Sequence, residues 1–452
     1  MSIIEQFKNR TPTSRQLFGR AVGAMPGGLT HDLRRQHPYP LYVSHGEGSR
    51  KWDVDGNEYV DYHGGHGALL LGHGRPEIVA AVQRQAALGT HLGGNHEQEL
   101  RWAELVKNLI PSAEKVRFTA SGTEAAMMAL RLARAHSGGS KFIRFKGHFH
   151  GWYDQFVAGY VSRFNGSAPV GVPPEVATAA LIADPGDEDA VLRFLDTDDD
   201  VAAIILEPTG AHFGAGPLDP SFLSFLRDVA SEANIVLIFD EVVTGFRVSP
   251  GGAQAHFGVT PDLTTLGKIL AGGLGGGAVA GRADILSHLD FEAAEKAGRE
   301  KVGHPGTHNG NPLSAVAGIA ALEIVAGTSA CDRANSSGEA LRRILNQVLT
   351  DEKVPWSVYG EFSGFNLFTN PDNRQVLPLE FDPATIDPSE LTGNDPELVG
   401  LVRLAMLING VDVTPRFSGW ISAVHEDRDL RQTAEAFQRT IGMLKKESVI
   451  AA

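Results

Sequence analysis

The sequence has very little cysteine, no long apolar run and no excess of positive charge. One cysteine, Cys331, among 452 residues excludes an internal disulfide framework and a cysteine-based metal cluster, and favours a reducing, cytoplasmic setting. No apolar run approaches the ~20 residues that span a bilayer, and the polar N-terminus lacks the apolar centre of a secretion signal. Acidic residues outnumber basic ones by 54 to 40, which disfavours nucleic acid and anionic membranes as partners.

The composition is otherwise that of an ordinary globular protein, with 42% hydrophobic and 21% charged residues. The length suits two to three domains of about 150 residues each. Glycine is abundant, with 52 residues that cluster along the chain. Such clusters indicate sharp turns or close approach of the backbone to a ligand.

Short apolar runs alternate with helical stretches from about residue 75 to residue 290. Continuous apolar strands between helices are typical of a mainly parallel α/β sheet that is buried on both faces. After Thr328 the pattern becomes mixed α+β, and it ends in a helix over Asp427–Lys446. The predicted strands of the α/β region are Lys115–Thr119, Lys141–Phe145, Thr178–Ile182, Val201–Leu206, Ile235–Asp240 and Leu263–Leu266.

Two loops have the composition of phosphate sites. Ser121, Gly122 and Thr123 follow a predicted strand and open a helix, where free N–H groups and the helix dipole attract an anion. A plain N-cap explains the same residues equally well. The Gly306–Pro312 loop, which contains Thr307 and also precedes a helix, is a second possible phosphate contact.

Phe149 and His150 follow the strand Lys141–Phe145. The carboxyl edge of an open α/β sheet is where ligands bind, so Phe149 could stack on a flat ring. Taken alone, the pattern fits a core aromatic better. His148 and His150 could form a metal pair, but no carboxylate cluster accompanies them, and we predict no metal site.

Two acidic residues also end predicted strands. Asp240 terminates a very apolar strand, where a buried carboxylate needs a cationic partner such as a protonated ring nitrogen; the alternative is an Asp that caps the next turn. Glu207 ends the strand Val201–Leu206 in the same way.

Lys268 is bracketed by apolar residues and glycines. Desolvation there would lower the pKa of the amine and let it attack a carbonyl, although a surface lysine with a buried stem fits the same pattern. Gly267–Lys268 is not a P-loop, because Ile269 stands where Ser or Thr is required.

The order of these features matches the needs of one cofactor. Pyridoxal phosphate (PLP) requires a Schiff-base lysine, an acid at the pyridinium nitrogen, a stacking group and a phosphate cradle. No single feature is decisive, and the combination carries the prediction.

The sequence resembles the class III (fold-type I) PLP-dependent aminotransferases, in particular the branch of glutamate-1-semialdehyde aminomutase. The resemblance covers the chain from about Met25 to the last helix. It implies a large PLP-binding domain at 66–325 and a smaller α+β domain built from 1–65 and 326–452. The strings that carry it include Pro26-Gly27-Gly28, Ser121-Gly122-Thr123-Glu124-Ala125, His150-Gly151, Asp240-Glu241-Val242-Val243-Thr244-Gly245-Phe246-Arg247 and Leu266-Gly267-Lys268.

The resemblance also implies roles for individual residues. Lys268 would form the internal aldimine and move the proton, and Asp240 would keep the pyridine nitrogen protonated. Val242 would pack beneath the ring and Phe149 above it. The remaining implied contacts are Ser121, Gly122 and Thr123 at the phosphate, His150 and Glu207 near the ring, Arg34 at a substrate carboxylate, and Thr307 at the phosphate of the neighbouring subunit in a homodimer.

Three departures from the aminomutase pattern bear on the substrate. Ala120 replaces the usual Asn, and His66 stands where the aminomutase has Trp. The run Thr414–Trp420 lacks the gating Glu and contains Arg416. A second guanidinium suggests recognition of another carboxylate.

The strings around His66, Phe149 and His212 look most like the D-phenylglycine type of aminotransferase. That likeness implies transfer of an amino group from an aromatic D-amino acid to 2-oxoglutarate, with His66, His212, Arg34 and Arg416 as substrate residues. A β-amino acid of the β-phenylalanine type and glutamate-1-semialdehyde isomerisation stay open as alternatives. A non-catalytic PLP-binding regulator is disfavoured by the intact Lys268 and Asp240. A nicotinamide dehydrogenase is disfavoured because no dinucleotide fingerprint is found.

Overall fold

The computed structural model describes residues 1–160 and 162–451. The chain forms two compact units. The central unit is Pro76–Cys331, and the terminal unit combines Met1–Arg75 with Asp332–Ala452. The sequence predicted domains at 1–65, 66–325 and 326–452. These domain boundaries stay a prediction.

The strands are β1 (Val43–Glu47), β2 (Arg50–Asp53), β3 (Glu58–Asp61), β4 (Lys115–Thr119), β5 (Lys141–Phe145), β6 (Ala180–Ala183), β7 (Val201–Leu206), β8 (Gly216–Pro217), β9 (Val236–Asp240), β10 (Leu263–Gly267), β11 (Gly277–Gly281), β12 (Ser357–Tyr359), β13 (Gly364–Phe368), β14 (Val411–Asp412) and β15 (Ser418–Trp420). The helices and single helical turns are α1 (Ile3–Arg10), α2 (Pro12–Val22), α3 (Gly64–Gly67), α4 (Pro76–Leu88), α5 (Glu97–Leu109), α6 (Gly122–Ser137), α7 (Pro174–Ala177), α8 (Glu188–Thr197), α9 (Ala211–Gly214), α10 (Pro220–Glu232), α11 (Gly252–Phe257), α12 (Ala283–Leu286), α13 (Phe291–Lys296), α14 (Pro312–Gly327), α15 (Ala330–Asp351), α16 (Pro388–Leu391), α17 (Pro396–Ile408) and α18 (Asp427–Lys446).

A seven-stranded sheet organises the central unit, in the order β4-β11-β10-β9-β7-β5-β6. The pairs β10–β9, β9–β7, β7–β5 and β5–β6 are parallel, and β11 runs antiparallel to both of its neighbours. β7 and β9 are buried along their whole length. Helices therefore cover both faces of this sheet, which accounts for strands that are apolar throughout.

Two apolar cores lie in the central unit. One contains buried alanines and leucines of α6 together with Phe142 and Ile238. The other contains Ile143, Leu237 and side chains of α10. Since successive side chains of a strand point to opposite faces, neighbouring residues of β5 and β9 enter different cores, and the strands are fixed between them.

The terminal unit has two smaller sheets, β1-β2-β3-β14 and β12-β13-β15. β14 joins β3 in parallel, although 350 residues of chain separate the two strands. One apolar core joins the N-terminal helix α1 to α15, α17 and α18. The first and last segments of the chain thus fold together.

The predicted fold class is confirmed: the architecture is that of PLP fold-type I, with a mixed, mostly parallel central sheet. Strand β11 was missing from the prediction, because Gly-Ala-Val-Ala-Gly is too short and too rich in glycine to resemble a strand. Within the described ranges no single helix is long and apolar enough to cross a membrane; α14 and α15, a bent pair, meet that criterion only when taken together.

Candidate active site

The carboxyl ends of the parallel strands place most of the predicted site residues at one edge of the central sheet. Asp240 ends β9 and Lys268 directly follows β10. Glu207 directly follows β7, and Ser121 comes two residues after β4. This edge is the usual ligand-binding edge of open α/β sheets, and the topology brings these residues to it from separate parts of the sequence.

Asp240 is buried, with 4% of its surface exposed. One carboxylate oxygen, Oδ2, lies 2.7 Å from Nδ1 of His150. The other, Oδ1, accepts the hydroxyl of Thr265 at 2.9 Å and the N–H of Val242 at 3.2 Å. A buried carboxylate held by such donors keeps a fixed direction.

Lys268 has a left-handed backbone, with φ +51°. A non-glycine residue is rarely found there, and such strain concentrates at functional sites. Burial lowers the pKa of its amine, and the negative charges of Asp240 and Glu207 oppose this shift. The amine is thereby brought closer to the neutral, nucleophilic form.

Glu207 is buried and accepts two main-chain N–H groups, from Phe149 at 2.7 Å and from His212. Burial, together with the charge of Asp240, nevertheless raises the pKa of Glu207 to about 8. The two N–H groups work against this shift. Glu207 can therefore carry a proton at neutral pH and donate a hydrogen bond to an oxygen in the site.

Replacing Glu207 by Gln should flatten the pH dependence of stability. A carboxyl with a pKa of 4.5 in the unfolded chain and about 8 when folded stabilises the fold below pH 4.5. That contribution is lost as pH rises to 8, by about 1.4 kcal/mol per pH unit. Thermal unfolding of cofactor-free protein from pH 5 to 8 measures it. Wild type should lose stability relative to Glu207→Gln as pH rises, and parallel curves would contradict a protonated Glu207.

Ser121, Gly122 and Thr123 form the N-terminus of α6. Ser121 is the N-cap and its hydroxyl accepts the N–H of Glu124 at 3.2 Å. The N–H groups of Gly122 and Thr123 belong to the first turn, which has no intrahelical acceptor, and they remain for an anion. The cap that was the alternative explanation is present, and it leaves these two donors available.

Glycines bring the backbone segments of this edge close together. A Cβ at Gly122 would lie 2.9 Å from the side chain of Val242, and a Cβ at Gly151 would lie 2.5 Å from that of Thr123. Any larger residue would displace Val242 or Thr123. The close packing brings the predicted phosphate loop, the predicted floor of the ring site and the His150 segment together.

Phe149 is 40% exposed, so it is not a core aromatic. Its ring lies 4.8 Å from that of Tyr160, at an angle of 48°, and Tyr160 in turn contacts His212 at 5.2 Å. An aromatic side chain with this much exposed surface can stack on a ligand.

Three of the predicted substrate residues belong to the terminal unit: Arg34, His66 and Arg416. The fourth, His212, belongs to the central unit. Arg34 donates to Thr30 Oγ1 at 3.0 Å and lines a cavity of about 440 Å³ within that unit. His66 lines the same cavity and stacks on His31 with 4.7 Å between ring centres. Arg416 is exposed. Among the described residues neither Arg34 nor Arg416 has a carboxylate partner, so both guanidinium groups can take a ligand.

Thr307 lies in an exposed loop before α14. Its carbonyl is 2.6 Å from Nε2 of His91, and the residue lines a polar cavity of about 270 Å³ with His96, Asn309 and Asn311. Its predicted contact with a phosphate of the neighbouring subunit stays a prediction.

At this edge the sequence pattern pointed to no role for Thr265 or Arg144, and to His148 only as a possible metal ligand. Thr265 faces Asp240 because β10 and β9 pair in that register. His148 Nδ1 accepts the N–H of Glu207 at 2.9 Å. Arg144 donates to the carbonyls of His148 and Phe156. Thr265 and Arg144 could have been noticed in the sequence, because each is a polar residue inside an apolar strand.

The residues present fit PLP. Buried Nε2 of His150 and Oγ1 of Thr209 have no hydrogen-bond partner among the described residues, as is expected beside a site for a polar ligand. An anion-binding helix start, a buried Asp and a desolvated Lys supply the three polar contacts that the cofactor requires. Among the described residues no group of three metal-ligating side chains converges.

Comparison with known proteins gives a consistent result. The family model "Aminotransferase class-III" matches residues 33–381. The chain is 36% identical over 444 residues to glutamate-1-semialdehyde 2,1-aminomutase of Methanopyrus kandleri, covering 97% of this chain and 99% of that protein.

Two solved structures are similar over nearly the whole chain. An omega-transaminase from Sphaerobacter thermophilus has a TM-score of 0.85 and 33% identity, covering 95% of this chain and 97% of the other. A beta-phenylalanine aminotransferase from Variovorax paradoxus has a TM-score of 0.85 and 30% identity, with 98% and 97% covered. The chain therefore belongs to the class III aminotransferases and is an enzyme that depends on pyridoxal phosphate.

Proposed function

We propose that this enzyme transfers an amino group from an amino acid to 2-oxoglutarate, as a homodimer. The observation that carries the proposal is the convergence of Lys268, Asp240 and Glu207 at one sheet edge. An amine whose pKa is lowered by burial, a carboxylate held in a fixed direction and an acid whose pKa is raised are suited to moving protons between a carbon and a nitrogen atom. PLP supplies the electron sink for this chemistry when bound.

The residues divide the work in this proposal. Lys268 Nζ would hold the carbonyl carbon of the cofactor and would also carry the proton. Asp240 would keep the ring nitrogen protonated, while Thr265 and His150 hold Asp240 in place. Glu207 would form a hydrogen bond near the 3-oxygen of the ring.

The other cofactor contacts surround the ring and the phosphate. Val242 and Phe149 would enclose the ring, and the start of α6 would bind the phosphate. Thr307 of each subunit would complete the phosphate site of its partner.

An aromatic amino acid of the D-phenylglycine type is the proposed donor. Two sequence features favour intermolecular transfer over isomerisation: His66 stands in place of Trp, and the run Thr414–Trp420 lacks the gating Glu and contains Arg416. The exposed guanidinium of Arg416 can bind the distal carboxylate of 2-oxoglutarate, which an aromatic donor lacks.

Two other substrates have specific support. The aminomutase of Methanopyrus kandleri has a high identity over almost the full length of the chain, which favours glutamate-1-semialdehyde. The beta-phenylalanine aminotransferase structure favours a β-amino acid. A panel of amino-acid substrates distinguishes these two activities from that of the D-phenylglycine type.

The deciding experiment follows the visible absorption of enzyme-bound PLP. The enzyme is mixed in turn with D-phenylglycine, L-phenylglycine, β-phenylalanine and glutamate-1-semialdehyde, and glutamate formation from 2-oxoglutarate is then measured. Bleaching by D-phenylglycine and production of glutamate are expected. Turnover of glutamate-1-semialdehyde alone, without 2-oxoglutarate, would instead establish the aminomutase.

Replacing each arginine by alanine should separate the two half-reactions. Both substrates have a carboxylate beside the reacting carbon, and only 2-oxoglutarate has a distal one. We expect one of Arg34→Ala and Arg416→Ala to weaken both half-reactions and the other chiefly the 2-oxoglutarate half. Loss of a bidentate partner costs roughly 2–5 kcal/mol, about 30-fold or more in affinity. Single-turnover kinetics measures each half, and equal effects in both variants would contradict the assignment.

A further inference from the structure

Among the described residues, Arg144 is a fully buried cation with no carboxylate within ion-pair distance, and the charge of Glu207 acts on it from farther away. Arg144 lies on β5 with 0% of its surface exposed. Nη1 donates to the carbonyl of Phe156 and Nη2 to that of His148, and Nε has no partner among the described residues. No carboxylate of the described chain lies within ion-pair distance of the guanidinium.

Such an arrangement is costly for folding. A buried charge without a counterion has lost its hydration, and main-chain carbonyls replace only part of it. An apolar side chain of similar volume would pack in this core at lower cost. The presence of an arginine at position 144 is therefore better explained by the chain segment that it holds in place than by a contribution to the stability of the fold.

The two carbonyls are the ends of one segment, His148–Phe156, which carries Phe149 and His150. A planar guanidinium donates in two fixed directions, so it fixes the separation of the two ends. Nδ1 of His150 then meets Asp240 Oδ2 at 2.7 Å.

The positive charge acts on the same histidine. Burial lowers the pKa of His150, the charge of Arg144 lowers it further, and Asp240 opposes both. A neutral imidazole donates Nδ1–H to Asp240 without neutralising the carboxylate, whereas an imidazolium would compete for its charge. Asp240 then keeps its full charge for the ring nitrogen.

We propose that Arg144 is a positioning residue that clamps His148–Phe156 and so fixes His150 as a hydrogen-bond donor to Asp240. The proposal rests on the roles of Asp240 and His150 in the proposed function. It assigns to Arg144 a task at the cofactor site that Arg144 itself does not touch.

The test is a double-mutant cycle on the dissociation constant of PLP, measured by titrating cofactor-free protein. Arg144→Met keeps the volume and removes both donors. We expect it to weaken PLP binding by about 10-fold in the wild-type background, and by less than about 3-fold in His150→Ala, because the contact that it supports is then already lost. Amide exchange of the peptide spanning His148–Phe156 should accelerate in Arg144→Met.

Arg342→Met is the matched control. Arg342 also clamps main-chain carbonyls, those of Phe362 at 2.9 Å and Gly364 at 2.5 Å, but in the terminal unit. Arg342→Met should change thermal stability and leave both PLP binding and the exchange of His148–Phe156 as in wild type.

Arg144→Lys keeps the charge, reaches only one carbonyl, and should fall between wild type and Arg144→Met; if Arg144→Met does not fold, the cycle is run with this variant. An equal loss of PLP affinity in the wild-type and His150→Ala backgrounds, or none in either, would overturn the proposal. Failure of the wild-type protein to bind PLP would instead overturn the proposed function.

Discussion

Replacing Lys268 by Ala should reduce amino transfer to less than about one part in 10⁴, because the nucleophile and the proton carrier are lost together. The backbone at Lys268 has φ +51°, which Ala tolerates as poorly as Lys does, so the fold should be retained. The phosphate donors of α6 and the carboxylate of Asp240 remain, and PLP should still bind without a covalent bond. Single-turnover kinetics and the absorption of bound cofactor measure both effects.

Lys115→Ala is the control for this variant. Lys115 lies on β4, more than half exposed, with only a 4.0 Å contact to Asp290, and its loss should leave turnover and absorption as in wild type. Normal turnover in Lys268→Ala would refute the role of this lysine, and with it the proposed mechanism.

The second large effect is expected for Asp240→Asn. The neutral amide cannot hold the ring nitrogen protonated, and the rate should fall by about 100- to 1000-fold, as when a fixed charge or donor is removed from a polar transition state. PLP should still be retained, since Lys268 and the phosphate site are intact. The rate of donor consumption in a single turnover and the cofactor content of the purified protein are the two measurements.

Asp262→Asn provides a matched comparison. Asp262 is also a buried carboxylate next to this sheet, but it precedes β10 and pairs with Arg227 and Arg282, each at 2.9 Å. Its replacement should lower thermal stability, while the rate per bound PLP stays that of wild type. A rate in Asp240→Asn as high as in Asp262→Asn would mean that another group protonates the ring nitrogen.

Local patterns in the sequence were sufficient to predict the fold class, and they also named most of the central-unit residues for which we propose roles. Five predicted strands agree with the structure to within one residue at each end, and the helix Asp427–Lys446 agrees at both ends. Apolar runs, glycines and helix starts are patterns of a few neighbouring residues, so they can be recognised in the sequence without knowledge of the fold. Because the carboxyl ends of parallel strands share one edge, the order Ser121, Phe149, Asp240, Lys268 also predicted a common site.

The sequence alone determined the fold class and the residues for which we propose roles, and the tertiary structure decided which of them touch. His150 and Asp240 are 90 residues apart, and Thr265 reaches Asp240 only through the register of β10 on β9. Two further features were likewise decided by the tertiary structure. β11 lies between β4 and β10, and Arg144 clamps two main-chain carbonyls. Such contacts depend on strand order and on burial of both sheet faces, which are properties of the whole packed unit, and no local pattern encodes them.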